Sequence, residues 1–101
     1  MNRAICAAIE RRSLLQFHYG GGLRVVEPYR HGYSTAGKEV LRAYQVSGYS
    51  ASRNPSGWRL FDVGKIGQLQ LAPETFSTSR PGFAAKDPAM RFVHCQVARK
   101  G

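Results

Sequence analysis

Lys38-Glu39-Val40-Leu41-Arg42-Ala43-Tyr44-Gln45-Val46, then a break rich in Ser, Gly, Asn and Pro, then Gly57-Trp58-Arg59-Leu60-Phe61-Asp62-Val63-Gly64-Lys65-Ile66: this stretch decides the fold. Both runs are rich in β-branched and aromatic residues, and Asn54-Pro55-Ser56-Gly57 between them favours a turn, so the stretch predicts a β-hairpin. Side chains alternate across a strand. Arg42 and Tyr44 therefore share one face of the first run, and Arg59, Phe61, Val63 and Lys65 share one face of the second. Basic and aromatic groups on neighbouring strands form a receptor for something anionic and flat. Arg offers a planar fork, Lys a point charge, and the rings a stacking surface. Each residue also has a structural alternative: Phe61 and Tyr44 as core, Arg59 as an ion-pair donor to Glu27 or Asp62, and Trp58 as a plug rather than a stacking ring.

Working outward to the N-terminus, Ile5, Ala8, Ile9 and Arg12 recur at helical spacing behind a candidate N-cap, Asn2, which predicts a short amphipathic helix over residues 3–12. So short a helix is marginal alone and must dock on the sheet. Leu14 to Tyr19 reads as a strand, Gly20-Gly21-Gly22 as a hairpin turn, and Leu23 to Tyr33 as the next strand. Pro28 cannot donate a ladder hydrogen bond and so marks an edge or a bulge. Arg24 and Arg30 share a face by parity unless that bulge intervenes, and Glu27 is placed to pair with an arginine. Toward the C-terminus, Gln68 to Leu71 reads as a strand ended by Pro73, residues 76–89 as a loop, and Met90 to Ala98 as a last strand with Val93, Cys95 and Val97 on one face. The expected architecture is mainly β: a small, strongly bent antiparallel barrel of about five strands with the N-terminal helix packed on it.

The 101 residues suffice for one domain with one modest core. The formal net charge of +9 directs attention to polyanions, nucleic acid before membrane surface. The basic residues are spread along the chain, so any patch must be assembled by folding. No apolar run is long enough to cross a bilayer, and Glu10-Arg11-Arg12 interrupts any signal-peptide core, so a cytoplasmic protein with no membrane partner is expected. Cys6 and Cys95 are expected as reduced, buried thiols. His18, His31 and His94 form no zinc pattern with them, and adjacent His94 and Cys95 are expected on opposite strand faces. No paired carboxylates stand out, so no enzyme, metal or cofactor is expected.

Three blocks in order give the chain a resemblance to the WYL domain, an SH3/Sm-like β-barrel module of bacterial transcriptional regulators. They are Ala8-Ile9-Glu10-Arg11-Arg12 through Phe17-His18-Tyr19; Arg24-Val25-Val26-Glu27-Pro28-Tyr29; and Leu41-Arg42-Ala43-Tyr44 with Arg59-Leu60-Phe61 and Lys65-Ile66. The resemblance covers residues 4–71, leaving 72–101 as loop and final strand of the same domain. Of the three residues that name the family, which would fall at Glu39, Val40 and Leu41, only the leucine is kept, and the second basic hairpin residue is Lys65 rather than Arg. The resemblance implies a ligand-sensing module that binds single-stranded nucleic acid or a nucleotide-like ligand through Arg24, Tyr44, Arg59, Phe61 and Lys65, to which the hairpin pattern adds Arg42. Relatives carry a helix-turn-helix ahead of this module. This chain starts at the module's own helix, so a separate DNA-binding partner protein is expected. The competing class is a structural module acting through self-association, as a homo-oligomer, or through a protein partner.

Overall fold

In the computed structural model, which describes residues 3–50, 54, 56–78 and 80–97, the chain folds as α1 (Arg3–Arg11), β1 (Ser13–Tyr19), β2 (Gly22–Tyr33), β3 (Glu39–Gly48), β4 (Gly57–Asp62), a 3-10 turn (Val63–Lys65), β5 (Gly67–Thr75) and β6 (Phe92–Gln96). All six strands join one antiparallel sheet in the order β4-β3-β2-β1-β5, with β6 added beside β2. The mainly-β, antiparallel expectation holds. No pairing joins β4 to β5 among the described residues, so the sheet is open at those two strands. Asn2, Pro55 and Ala98, to which the sequence assigned a cap, a turn and a strand end, lie outside the described residues.

β2 organises the sheet. Its first half pairs with β1 (Leu15 opposite Val26, Phe17 opposite Arg24) and its second half with β6 (Arg30 opposite Gln96, His31 opposite Cys95), while β3 runs along its other side. Pro28 falls in the gap where β2 exchanges β1 for β6, so its missing N–H costs no ladder bond on that side. Beside it lies a bulge: Pro28 faces Ala43 and Arg30 faces Arg42, which leaves Tyr29 as the extra residue. The β1–β2 turn at Gly20 and Gly21 has φ of +60° and +99°, the paired left-handed geometry of the tightest hairpins, which glycine adopts without strain.

Residues opposite one another in a ladder point to the same face. Leu15, Phe17, Val26, Leu41, Ala43 and Phe61 therefore form the inner face, where they are buried with Ile5, Ala8 and Ile9 of α1. Phe17, Tyr19 and Phe61 meet edge to face, with centroids 4.9–6.3 Å apart. The helix ends one residue earlier than its spacing predicts, because Arg12 already has φ +55°.

Four expectations are corrected. β4 stops at Asp62, whose carboxylate accepts the Gly64 N–H at 3.0 Å and caps the 3-10 turn, so Val63 and Lys65 do not continue the face of Arg59 and Phe61. β5 runs through Pro73 to Thr75. Among the described residues it pairs with β1 alone and is irregular there (Leu15 opposite Leu71, Ser13 opposite Thr75), where a proline is tolerated. β6 is shorter than predicted, and Val93 stays exposed while Cys95 and Val97 turn inward. Cys6 and Cys95 are joined in a disulfide, their Cα atoms 6.0 Å apart, rather than held as free thiols. It ties α1 to β6.

Ile9 is 1% exposed and anchors a helix of only nine residues. Ile9→Ala should lower stability by roughly 2–4 kcal/mol, the range for a deleted buried aliphatic side chain. Urea denaturation with the disulfide intact measures it; an unchanged midpoint would mean that the stripe is not what holds α1.

Candidate basic–aromatic site on the outer face

The bulge at Tyr29 decides what the outer face carries. Without it, Arg30 would continue the parity of Arg24 and point inward. With it, Tyr29 and Arg30 both face outward beside Glu27, in register with Tyr44 and Arg42 of β3, and these in turn face Trp58 and Leu60 of β4. The segment between β5 and β6 crosses this face and brings Phe76, Arg80, Phe83, Lys86 and Asp87.

Rings pack first. Tyr29 lies 4.8–5.3 Å from Trp58, Phe76 and Phe83, and Trp58 stacks on Phe83 with the planes 21° apart. The Trp58 indole donates to the Pro81 carbonyl at 2.9 Å, and Gly82, at φ +92°, lies so close to the indole that a Cβ would crowd it. Tyr44 meets Trp58 edge on, and its own ring lies 4.1 Å from the Arg80 guanidinium carbon.

Two forked ion pairs then pin the crossing segment. Arg80 donates from Nε and Nη2 to the Glu27 carboxylate at 3.1 and 2.7 Å, and Arg42 donates to Asp87 at 2.7 and 3.0 Å. The carboxylates are nearly covered, Glu27 with 8% and Asp87 with 5% of the side chain exposed, so these bonds are poorly screened. The Arg42 hydrogen bonds hold the Asp87 carboxyl below the usual range, against the opposing effect of its burial. The Tyr29 phenol donates to Glu27 at 3.2 Å, and burial, then the nearby carboxylate, push it up to about 12, so it remains a neutral donor throughout the physiological range.

Between these pairs opens a cavity of about 220 Å³ lined by Arg30, Arg42, Trp58, Phe83, Lys86 and Asp87, with Gly82, Ala84 and Pro88 at its margin. Arg30 is 2% exposed. It donates to Gln96 Oε1 at 2.7 Å and to the Ala84 and Ala85 carbonyls at 2.9 and 3.2 Å, and lies 4.5 Å from the centre of the Phe83 ring. Three cations against one carboxylate, beside stacked rings, give the hollow a positive potential and an apolar wall.

The residues singled out in the sequence are divided between two faces. Arg42 lines the cavity and Tyr44 buttresses Trp58 behind it. Arg24, 6% exposed, points to the inner side: it donates to the Tyr19 carbonyl and to Gln45 Oε1, each at 3.2 Å, and is ringed by Tyr19, Tyr49 and Phe61 at 5.3–5.8 Å. Phe61 is core, 1% exposed. Arg59 faces the inner side by register and organises its own hairpin loop, donating to the Asn54 carbonyl at 2.6 Å and the Trp58 carbonyl at 3.1 Å; its partner is neither Glu27 nor Asp62. Lys65 is exposed in the 3-10 turn. Arg30, Phe83, Lys86 and Asp87 were missed. The signal for Arg30 was Pro28, which warned of the bulge; for the others only the mixture of Phe, Arg, Lys and Asp in a presumed loop pointed to more than a connection.

Comparison of the chain with protein-family models, with curated proteins and with solved structures gives no match in any of the three.

Because the folded Asp87 carboxyl titrates below its unfolded value, the Arg42–Asp87 pair adds stability that is fully present above the ordinary Asp value of about 3.9. That stability is lost as pH falls through the lower folded value. Asp87→Asn should therefore be less stable than the parent protein near neutrality, and the gap should close as pH drops below about 4. Urea midpoints across an acid series measure this; a gap independent of pH would contradict it.

Proposed function

We propose that this protein is a ligand-sensing regulatory module of the WYL type, a cytoplasmic SH3/Sm-like barrel serving bacterial transcriptional control, and that it binds a nucleic-acid or nucleotide-like anion on its outer face. The observation that carries the reading is the cavity where Arg30, Arg42 and Lys86 surround the Trp58–Phe83 stack. Its volume of about 220 Å³ is below the ~300 Å³ at which small-molecule pockets usually begin. It suits one planar base, not a whole nucleotide. The base lies against the rings, and the sugar-phosphate extends over Lys86 and the rim. The ordered sequence blocks and the charge of +9 support the same class of ligand. Binding next to Asp87 would bear on the clamp that seats the crossing segment, which gives the module a way to report occupancy to a partner protein.

A second reading, self-association, is favoured by Phe92 and Val93, 57% and 41% exposed on β6, which among the described residues pairs with β2 alone. Gel filtration separates it from the first: a monomer that binds oligonucleotide supports sensing, and a dimer that binds none supports association.

The binding test is fluorescence anisotropy with a labelled single-stranded oligonucleotide across a salt series. Affinity should fall steeply with salt. Lys86→Ala should weaken binding and flatten the log–log salt slope by about 1, the loss of one phosphate contact. Duplex should bind less well than single strand, since paired bases cannot enter the hollow. No binding at low salt, or an unaltered slope in folded Lys86→Ala, would overturn the reading.

A further inference from the structure

Four groups that carry chemistry converge on the inner face, away from the basic cavity. Cys6 comes from α1, His31 from β2, and His94 and Cys95 from β6, and their ligand atoms all lie within 4.8 Å of one another. The sequence rule that adjacent strand residues point apart fails here for a definite reason. His31 faces Cys95 and Gly32 faces Val93, so His94 is the extra residue of a bulge and turns to the same side as Cys95. Gly32 helps this approach: a Cβ there would collide with the Phe92 carbonyl of β6.

We propose that Cys6, His31, His94 and Cys95 form a redox-gated zinc site, a disulfide when oxidised and a tetrahedral Cys2His2 centre when reduced. Zinc bonds of about 2.3 Å to sulfur and 2.0–2.1 Å to nitrogen set tetrahedral edges of roughly 3.3–3.8 Å. Cys6 Sγ already lies 3.1 Å from His94 Nδ1 and 3.7 Å from His31 Nδ1. The two imidazoles meet nearly at right angles, 82° between planes with centroids 5.4 Å apart, so both Nδ1 atoms converge on one point without the rings stacking. The sulfurs must part to about 3.8 Å, which reduction permits, and the widest pair of ligand atoms, within 4.8 Å, must close toward the same edge.

The surroundings of His31 fit a ligand. The ring is fully buried, and its Nε2 lies 2.6 Å from Glu39 Oε2. A carboxylate on the far nitrogen holds the proton there and leaves Nδ1 with its lone pair toward the sulfurs, the arrangement found behind metal-bound histidines. Two thiolates and two imidazoles select a borderline-soft ion that favours four-coordination, zinc before the hard cations.

The gating step balances with a dithiol reductant. The dithiol becomes its own disulfide, and Cys6 and Cys95 each gain one electron and one proton. On zinc binding both thiol protons pass to solvent as the thiolates coordinate. In a reducing compartment the N-terminal helix and the last strand would then be joined through the metal instead of through sulfur.

Cobalt titration of the full chain, before and after dithiol reduction, is the test. The reduced protein should take up one Co²⁺ with the strong visible bands of a tetrahedral ion and a sulfur-to-cobalt charge-transfer band, and Zn²⁺ should displace it. The oxidised protein should show neither band. His94→Ala and Cys95→Ser should each weaken cobalt binding by more than the roughly 10-fold that loss of an outer-shell partner costs. Near-UV circular dichroism of Trp58 follows folding in parallel. If reduction unfolds the chain, recovery of that signal on adding Zn²⁺ supports the site, and failure to recover overturns it. A reduced, folded chain that binds no cobalt, a pale octahedral spectrum, equal binding by the oxidised chain, or wild-type affinity in His94→Ala would each overturn the proposal.

Discussion

One extra residue in β2, Tyr29, fixes what each face of the sheet carries. It sits next to Pro28, at the point where β2 leaves β1 and takes up β6. With the insertion, Arg30 turns outward to Arg42, and His31 turns inward to Leu41 and Cys95. Were the same residues paired without the bulge, the two would exchange, placing a guanidinium beneath α1 and an imidazole among the outer aromatic rings. The basic–aromatic set outside follows from that shift in parity, and the thiol–imidazole set inside from it together with the bulge at His94 in β6.

The outer face is closed by a segment whose described residues have no regular secondary structure, and physical compensation explains why it stays seated. Its backbone carbonyls at Pro81, Ala84 and Ala85 accept from Trp58 and Arg30, so the loop itself satisfies the indole and the buried guanidinium. Phe76 and Phe83 supply apolar burial against Tyr29. The Glu27–Arg80 and Arg42–Asp87 forks then set its register, each with a nearly covered carboxylate whose partner could not be removed cheaply. Arg42 thus has two roles: it holds Asp87 and it lines the hollow.

Alternation carried the sequence analysis as far as the strands run regularly. The hairpin runs, the glycine turn, the N-terminal stripe of Ile5, Ala8 and Ile9, and the core position of Phe61 were legible, because local propensity and tertiary burial agree there. What stayed hidden lies at irregularities. Lys65 leaves its expected face because Asp62 caps a 3-10 turn. Arg30 changes side at the bulge, and His94 does so at its counterpart in β6. Period-2 reasoning has no term for an inserted residue. The long-range partners Arg80 and Asp87 sit in a stretch whose composition reads only as loop, and the Cys6–Cys95 contact spans nearly the whole chain.

The claim that the outer hollow is the binding site can be localised directly. Trp58 is the only tryptophan, so its indole N–H gives a single resonance in a ¹⁵N-labelled protein. Titration with a nucleoside monophosphate should shift that resonance, together with the amides of Phe83 and Lys86, along one saturable curve, and leave those of Arg59 and Lys65 in place. Shifts centred on Arg59 and Lys65, or none at Trp58 at saturating ligand, would contradict the account.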